Sequence, residues 1–182
     1  MRVEKREIDL NGHKLILRNA EKEDAVTLLP YLKRVCGETR FLLKESDEVA
    51  DLTPEKEEAF ITEHNDGDGS VLIIAEYDGV YVGNASFTTC GVSRRTKHRA
   101  DVGIALYEEY TGKGIGTVLF GFIMEIAEQA GFEQAELTVV GNNDRAIHMY
   151  EKYGFTVCGR IPNANKYDDG TYADDIRMVK RF

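Results

Sequence analysis

The amino-acid sequence predicts a mixed α/β (α+β) fold in a single domain that spans residues 1–182. Segments with strand-like and helix-like patterns are interleaved along the chain, which favours a sheet covered by helices. Asp-Gly pairs at Asp78-Gly79 and Asp169-Gly170 each join two β-rich runs, which predicts antiparallel hairpins. The length is typical of one domain, and no repeat, linker or low-complexity segment divides the chain.

The first half of the chain predicts a strand, two helices and a hairpin. The strand covers residues 13–20, and apolar residues at helical spacing over Glu21–Val35 predict the first helix. Thr53 is a favourable N-cap for a second helix, which has a proline in its first turn and extends to His64. The hairpin over Ser70–Cys90 follows.

The second half alternates strands and helices before it closes with the second hairpin. A strand over Arg99–Tyr107 leads into the glycine-rich stretch Glu109–Thr117, "EYTGKGIGT". A helix with an apolar stripe comes next and ends at Gly131. The short apolar strand Ala135–Val140 then precedes an Asn-capped helix over Asn143–Tyr153.

The composition favours a soluble globular protein, with 42% hydrophobic residues, 30% charged residues and a net charge of -9. The negative charge argues against a nucleic-acid partner. Cys36, Cys90 and Cys158 are odd in number and widely spaced, so we expect no disulfides, and we interpret Cys90 and Cys158 as core residues. Because no apolar run resembles a signal peptide or a membrane span, we expect a cytoplasmic protein without a membrane partner.

The glycine-rich stretch could bind a phosphate group. A P-loop requires a later Gly-Lys pair, and a dinucleotide fingerprint requires GxGxxG, but this stretch contains GxGxG. Two interpretations are left. The backbone N–H groups could surround a pyrophosphate at a helix N-terminus, or the segment could be a turn without a ligand.

Two motifs carry a resemblance to a known family. The segment "RADVGIALYEEYTGKGIGTVLFGFIMEIA" resembles the acetyl-CoA-binding motif of the GNAT superfamily of N-acetyltransferases, with Gly114 and Gly116 as its defining glycines. Thr111 stands where the family has Gln or Arg. Downstream, "NDRAIHMYEKYGF" over Asn143–Phe155 resembles the family segment Asn-x-x-Ala-x-x-x-Tyr-x-x-x-Gly-Phe. The two motifs occur in the family's order, separated by one helix and one strand.

The resemblance implies a mostly antiparallel sheet of six to seven strands, with helices on both faces and a central V-shaped splay. It also implies acetyl-CoA as cosubstrate, with its pantetheine arm added to a strand edge in the splay. Thr111 lacks the long side chain that the family has at this position. The backbone N–H groups of the glycine-rich stretch Glu109–Thr117, called the glycine loop below, would still hold the pyrophosphate because they do not depend on that side chain. The implied cofactor-binding residues are Ile104, Ala105, Leu106, Thr111, Gly112, Lys113, Gly114, Ile115, Gly116, Thr117, Asn143 and Tyr150.

Acetyl transfer to an amine needs a proton acceptor for the amine and a proton donor for the leaving thiolate. Tyr150 matches the family tyrosine that can hydrogen-bond the CoA sulfur, and a core aromatic is the alternative interpretation. Asp101 aligns with a carboxylate of some members and is the candidate base; an ordinary strand-edge charge is the alternative. Glu76 is a second candidate base, and an ordered water is a third.

The expected function is direct transfer of an acetyl group from acetyl-CoA to a primary amine in a ternary complex, with no acyl carrier at Cys90. A non-catalytic acyl-CoA sensor and a nucleotide-binding protein are the alternatives.

The four histidines lack metal-ligand spacing, so we expect no metal, and we expect His148 to face solvent. The basic segment Ser93–Arg99 is either a solvated turn or a contact for the adenosine 3'-phosphate. A homodimer stays open beside a monomer.

The acceptor would be selected by residues 21–65 and by Ile161–Tyr172, which vary freely on such a scaffold. The acidity of these segments favours a cationic acceptor: a small amine, a polyamine or a protein N-terminus. The acidic residues are Glu45, Asp47, Glu48, Asp51, Asp168 and Asp169.

Overall fold

A computed structural model describes residues 1–182 and contains one eight-stranded sheet, in the order β1-β2-β3-β4-β5-β6-β8-β7. The strands are β1 (Arg6–Leu10), β2 (His13–Asn19), β3 (Ser70–Tyr77), β4 (Val80–Thr89), β5 (Arg99–Leu106), β6 (Gln134–Val140), β7 (Thr156–Lys166) and β8 (Tyr172–Arg181). The helices are α1 (Ala25–Glu38), α2 (Pro54–Asp66), α3 (Ile115–Gln129) and α4 (Asp144–Lys152).

All neighbouring strands are antiparallel except β5 and β6, so the mixed, mostly antiparallel sheet is confirmed. The expected number of six to seven strands is wrong, because β1 adds an eighth strand at the edge. Asn11 and Gly12 join β1 to β2 with φ values of 57° and 83°. Two consecutive left-handed residues form the turn that Asn-Gly pairs favour, so this hairpin had a readable signal in the sequence.

Helices cover both faces of the sheet, as expected. Leu72 and Ile74 of β3 pack in a cluster with α1 and α2, whereas Val71 and Ile73 of the same strand pack in the larger cluster that contains α3. The alternation of side chains along a strand explains this division between the two faces. None of the helices is long and apolar enough to cross a membrane.

The first helix begins later than its apolar spacing predicts. Lys22–Asp24 form a 3-10 turn, in which the Asp24 carboxylate accepts a hydrogen bond from the N–H of Glu21 at 2.6 Å. The α-helix therefore starts at Ala25 and continues to Glu38. The start of α2 is as expected, because the Thr53 hydroxyl accepts a hydrogen bond from the backbone N–H of Lys56 at 3.4 Å.

The three cysteines are free thiols, but they are not all core residues. Cys36 is buried, Cys90 is half-buried and Cys158 is exposed. The expectation of a core position is therefore wrong for Cys158. The reason is that β7 is an edge strand that is mostly exposed, with a shift of register between Val157 and Gly159 that places Cys158 outside the regular ladder.

A splay opens in the middle of the sheet between β5 and β6. These strands are parallel and pair only over Arg99–Asp101 with Gln134–Glu136. Beyond Asp101, β5 pairs with β4 alone, and beyond Glu136, β6 pairs with β8 alone. The expected V-shaped splay is therefore present, and its vertex lies at Asp101 and Glu136.

Gly83 of β4 lets the outer end of β5 approach closely. A Cβ atom at Gly83 would lie 2.5 Å from the carbonyl oxygen of Ala105 and 2.9 Å from the Cα of Leu106. Both are backbone atoms, so the strand itself would have to move. Gly103 on the neighbouring strand differs, since its Cβ would meet only the Ser86 hydroxyl at 4.0 Å.

We therefore expect Gly83→Ala to lower the free energy of unfolding by about 1–3 kcal/mol, because the added methyl overlaps the β5 backbone. Gly103→Ala is the matched control and should change this free energy by less than about 1 kcal/mol. Urea unfolding of both variants measures the difference. Equal losses in the two variants would contradict the role given to the close contact.

Candidate functional site

The glycine loop presents a row of free backbone donors at the start of α3. Gly112 and Gly114 have φ values of 75° and 86°, a left-handed conformation that strains other residues. The backbone N–H groups of residues 112–117 donate no hydrogen bond within the protein. The first regular helix bond runs from the N–H of Val118 to the carbonyl of Gly114. Such a row of free donors at a helix N-terminus suits an anion.

A cationic side chain lies beside this loop, and the sequence analysis missed it. Arg145 of α4 donates a hydrogen bond from Nη1 to the Thr111 hydroxyl at 2.6 Å, and that hydroxyl donates to the carbonyl of Glu108 at 2.8 Å. Lys113 is turned against the ring of Tyr110, with its Nζ 4.7 Å from the ring centroid. The guanidinium therefore stands near the position where the family carries Gln or Arg. The sequence signal that could have identified Arg145 is that it belongs to the second motif, Asn143–Phe155.

The splay connects this loop to the other predicted cofactor residues. Ile104, Ala105 and Leu106 lie on the part of β5 that has no partner on its β6 side. The glycine loop follows β5, and Asn143 follows β6. Because β5 and β6 are parallel, both segments lie at the open end of the splay. The Asn143 side chain caps α4 by accepting a hydrogen bond from the N–H of Ala146 at 3.3 Å.

Tyr150 belongs to the core and still keeps a free hydroxyl. Its side chain packs against Phe120 and Phe155, with ring centroids 5.0 and 6.0 Å away, and the residue is 8% exposed. The hydroxyl forms no hydrogen bond with the protein. Burial raises the pKa of Tyr150 to about 12, so the hydroxyl holds its proton at neutral pH. It is therefore available as a donor.

Asp101 lies at the vertex of the splay, on the sheet face opposite α3. Its neighbours Ala100 and Val102 pack in the cluster with α3, so alternation directs Asp101 to the other face together with Glu136. Loss of hydration raises the pKa of Asp101, the Glu136 carboxylate raises it further, and Arg177 lowers it. Arg99 pairs with Glu136 at 3.0 Å, whereas Asp101 forms no salt bridge.

Glu76, the second candidate base, does not reach this site. It lies on β3, two strands away from β5, and accepts a hydrogen bond from Nε of Arg18 at 2.9 Å. Arg18 also binds Asp24, at 2.7 and 2.9 Å, so the three side chains form one ionic cluster. A carboxylate held in this way supports the packing of the 3-10 turn on the sheet and is not free to accept a proton from a substrate.

Two other expected features have clear positions. His148 is exposed on α4, as expected. In the basic segment Ser93–Arg99, residues 93–98 form a turn that leads into β5 at Arg99, whereas the glycine loop follows the last residue of that strand. The interpretation as a solvated turn fits this position. A contact with the 3'-phosphate of a cofactor held at the loop does not.

Two cavities lie on the face opposite α3. The larger, of about 860 Å³, adjoins the vertex and includes Asp101, Glu136 and Arg177 in its wall. The smaller, of about 310 Å³, lies between the end of α1 and the β7–β8 turn, and Glu45, Asp168 and Asp169 line it. Three of the six acidic residues named for the acceptor-selecting segments therefore line the smaller cavity, and the pair of sheet carboxylates lines the larger one.

Comparisons with known proteins identify the family. Residues 38–155 match the model of the acetyltransferase (GNAT) family. The chain belongs to this family. It is 30% identical over 118 residues to the L-amino acid N-acetyltransferase AaaT of Escherichia coli (strain K12), which covers 63% of this chain and 70% of that protein. The recognition of the family from its two motifs is thus confirmed.

Solved structures of GNAT proteins share the fold. An acetyltransferase of the GNAT family from Streptococcus pneumoniae superposes with a TM-score of 0.87 at 30% identity, covering 92% of this chain and 99% of that one. The structure of yncA from Salmonella typhimurium, solved with its cofactor acetyl-CoA, gives a TM-score of 0.80 at 18% identity over 92% of this chain and 93% of that one. Acetyl-CoA is therefore bound by a protein of the same fold.

Proposed function

We propose that this GNAT protein transfers an acetyl group from acetyl-CoA to a primary amine by direct attack in a ternary complex. One arrangement carries the proposal. A row of free N–H donors lies at the open end of the splay and an unpaired carboxylate lies at its vertex, so an anionic cofactor and an amine can meet between β5 and β6.

The residues at the open end of the splay suit the parts of acetyl-CoA. The N–H groups of residues 112–117 would receive the pyrophosphate, and the Arg145 guanidinium adds a positive charge beside them. The free edge of β5 at Ile104–Leu106 would pair with the amide groups of the pantetheine arm, as an added strand does. Asn143 lies across the splay from this edge. Acetyl-CoA supplies the activated thioester, and the protein positions it.

Two side chains would manage the protons. An alkyl ammonium has a pKa of about 10.4, so the acceptor must lose a proton before its nitrogen can attack. Asp101 can accept that proton, directly or through a water, because its carboxylate has no salt-bridge partner. The Tyr150 hydroxyl keeps its own proton at neutral pH and can donate it to the leaving sulfur.

Direct transfer agrees with the state of Cys90. Burial raises the pKa of this thiol to about 11, and the nearby carboxylates of Glu136 and Asp101 add to the shift. Thiolates, not thiols, are the nucleophiles, so Cys90 is poorly suited to carry an acetyl group at neutral pH. A non-catalytic acyl-CoA sensor would need neither the Asp101 carboxylate nor the Tyr150 hydroxyl, and turnover separates the two functions.

The glycine loop can be tested by comparing the two ends of α3. Gly114→Glu should weaken CoA binding by about 100-fold or more, since it places a strained residue and a negative charge among the donors. Gly131→Glu is the matched control because Gly131, with a φ of 84°, also has a left-handed backbone but lies beyond the other end of α3. Calorimetric titration with CoA measures both. Equal CoA affinities of Gly114→Glu and the wild type would refute the proposal that the N–H groups of the glycine loop bind the pyrophosphate.

The role of Arg145 can be tested by a rescue. Arg145→Gln should weaken acetyl-CoA binding by about tenfold, since one charge-assisted contact to a phosphate is lost. Thr111→Arg in the same variant should restore most of the affinity, because it returns a guanidinium to the family position at the loop. Calorimetric titration measures the Kd of each variant for acetyl-CoA. An unchanged Kd in Arg145→Gln, or no recovery in the double variant, would show that Arg145 does not serve the phosphates.

The reaction itself is tested by CoA release with acetyl-CoA and a panel of amines, polyamines and peptides. The wild type should turn over at least one amine, and Tyr150→Phe should lower kcat by about 10- to 100-fold with the Kd for acetyl-CoA unchanged. Tyr153→Phe removes another hydroxyl, which donates to the Thr117 carbonyl at 2.6 Å, and should lower stability more than kcat. Tight acetyl-CoA binding without any turnover would favour the sensor.

A further inference from the structure

The cavity beside the vertex has the size and the position of an acceptor pocket. Its volume of about 860 Å³ lies in the range of small-molecule sites. Asp101 is the last residue of β5 that pairs with β6, and Leu137 and Thr138, also in the cavity wall, are the first residues of β6 beyond that pairing. The cavity therefore adjoins the splay at the point where the two strands separate.

The helices leave this part of the sheet uncovered. The apolar cluster beneath α1 and α2 contains residues of β3 but none of β6 or β8. On the same face, β6 and β8 present polar side chains, because Thr138 lies opposite Arg177 and Gln134 lies opposite Arg181 in the antiparallel register. This uncovered polar face is therefore open to solvent or to a polar ligand.

The charges on this face are of both signs, and three of them, on Asp101, Arg177 and Arg181, form no salt bridge. Glu136 is already bound to Arg99, at 3.0 Å. Asp101 and Arg177 form no salt bridge, although they face the same cavity from β5 and β8, on either side of β6. In addition, Nε of Arg99 is buried and has no hydrogen-bond partner. The cavity thus offers one free carboxylate near the vertex and two free guanidinium groups, those of Arg177 and Arg181, farther from β5. Of these two, Arg177 is the one whose charge lowers the pKa of Asp101.

We propose that the acceptor is a small amine that also carries a carboxylate, of the α-amino acid class, with its amine toward Asp101 and its carboxylate toward Arg177. This inference rests on the proposed acetyl transfer. A guanidinium binds a carboxylate through two parallel hydrogen bonds, which gives orientation as well as affinity. The amine would then be held at the vertex, next to the edge of β5 where the thioester is expected.

The same charges disfavour a polyamine. The second ammonium of a polyamine held at Asp101 would meet Arg177 and Arg181, and like charges repel. This inference departs from the cationic acceptor that the acidic segments favour. Of those acidic residues, Glu45, Asp168 and Asp169 line the smaller cavity at the β7–β8 turn, where Asp169 is already bound to Arg40 at 3.1 Å.

The transfer balances with the groups named. The acceptor ammonium loses one proton to Asp101 and from there to solvent. Its nitrogen forms a bond to the acetyl carbon while the carbon–sulfur bond breaks, and the electron pair of that bond leaves with the sulfur. The nitrogen loses a second proton to solvent as the amide forms, and the sulfur gains one from the Tyr150 hydroxyl, which solvent reprotonates. The products are an N-acetylated amino acid and CoA.

The experiment measures CoA release with L-amino acids, each paired with its α-carboxamide, and with spermidine. In the wild type, kcat/KM for the best amino acid should exceed that for its carboxamide and for spermidine by about tenfold or more. Arg177→Gln should raise KM for the amino acid by about tenfold without raising KM for the carboxamide or the Kd for acetyl-CoA. Lys180→Gln is the control, because it removes a positive charge from the opposite face of β8 and should leave the preference intact.

The possible failures point to different conclusions. Better turnover of spermidine or of a carboxamide by the wild type would overturn the inference and leave the acetyl transfer standing. An equal rise of KM for the amino acid and its carboxamide in Arg177→Gln would also overturn it, since a structural role affects both acceptors alike. Acetyl-CoA binding without turnover of any acceptor would instead refute the proposed function, and the inference with it.

Discussion

The short parallel contact between β5 and β6 is the constraint on which the rest of the site depends. Only Arg99–Asp101 and Gln134–Glu136 pair, and each strand then continues with a partner on its outer side alone. The inner edges keep backbone groups that must find a partner or water. Gly83 holds the end of β5 close to β4, so this strand follows its outer partner and the gap to β6 stays open. If β5 and β6 paired over a greater length, the splay between them would close.

The sheet also separates the two chemical tasks. Donors and positive charge gather where β5 runs into α3, and carboxylates gather at the vertex on the opposite face. Tyr150 stands on the α3 side and Asp101 on the other, so the groups proposed to give and to accept a proton approach the splay from different faces.

Local signals in the sequence predicted most of the fold. Thr53, Gly131 and the Asp78-Gly79 turn each act through their own backbone neighbourhood, and their elements formed as expected. Asn11-Gly12 carried an equally strong signal, and β1 could have been predicted from it. By contrast, the exposure of Cys158 depends on β7 being an edge strand, a property of the sheet order that an apolar run does not reveal.

The site could be predicted only in part for the same reason. Strand alternation could place Asp101 on one face, but that it is unpaired while Glu76 is bound to Arg18 depends on contacts distant in sequence. The bond from Arg145 to Thr111 joins residues 34 positions apart, with α3 and β6 between them.

The hydrogen bond from Arg145 to Thr111 has an entropic consequence. A guanidinium has five N–H donors, and one of them already fixes its orientation on the Thr111 hydroxyl, which leaves the others free. An arriving phosphate would thus meet a cation whose freedom was given up during folding, so less entropy is lost on binding.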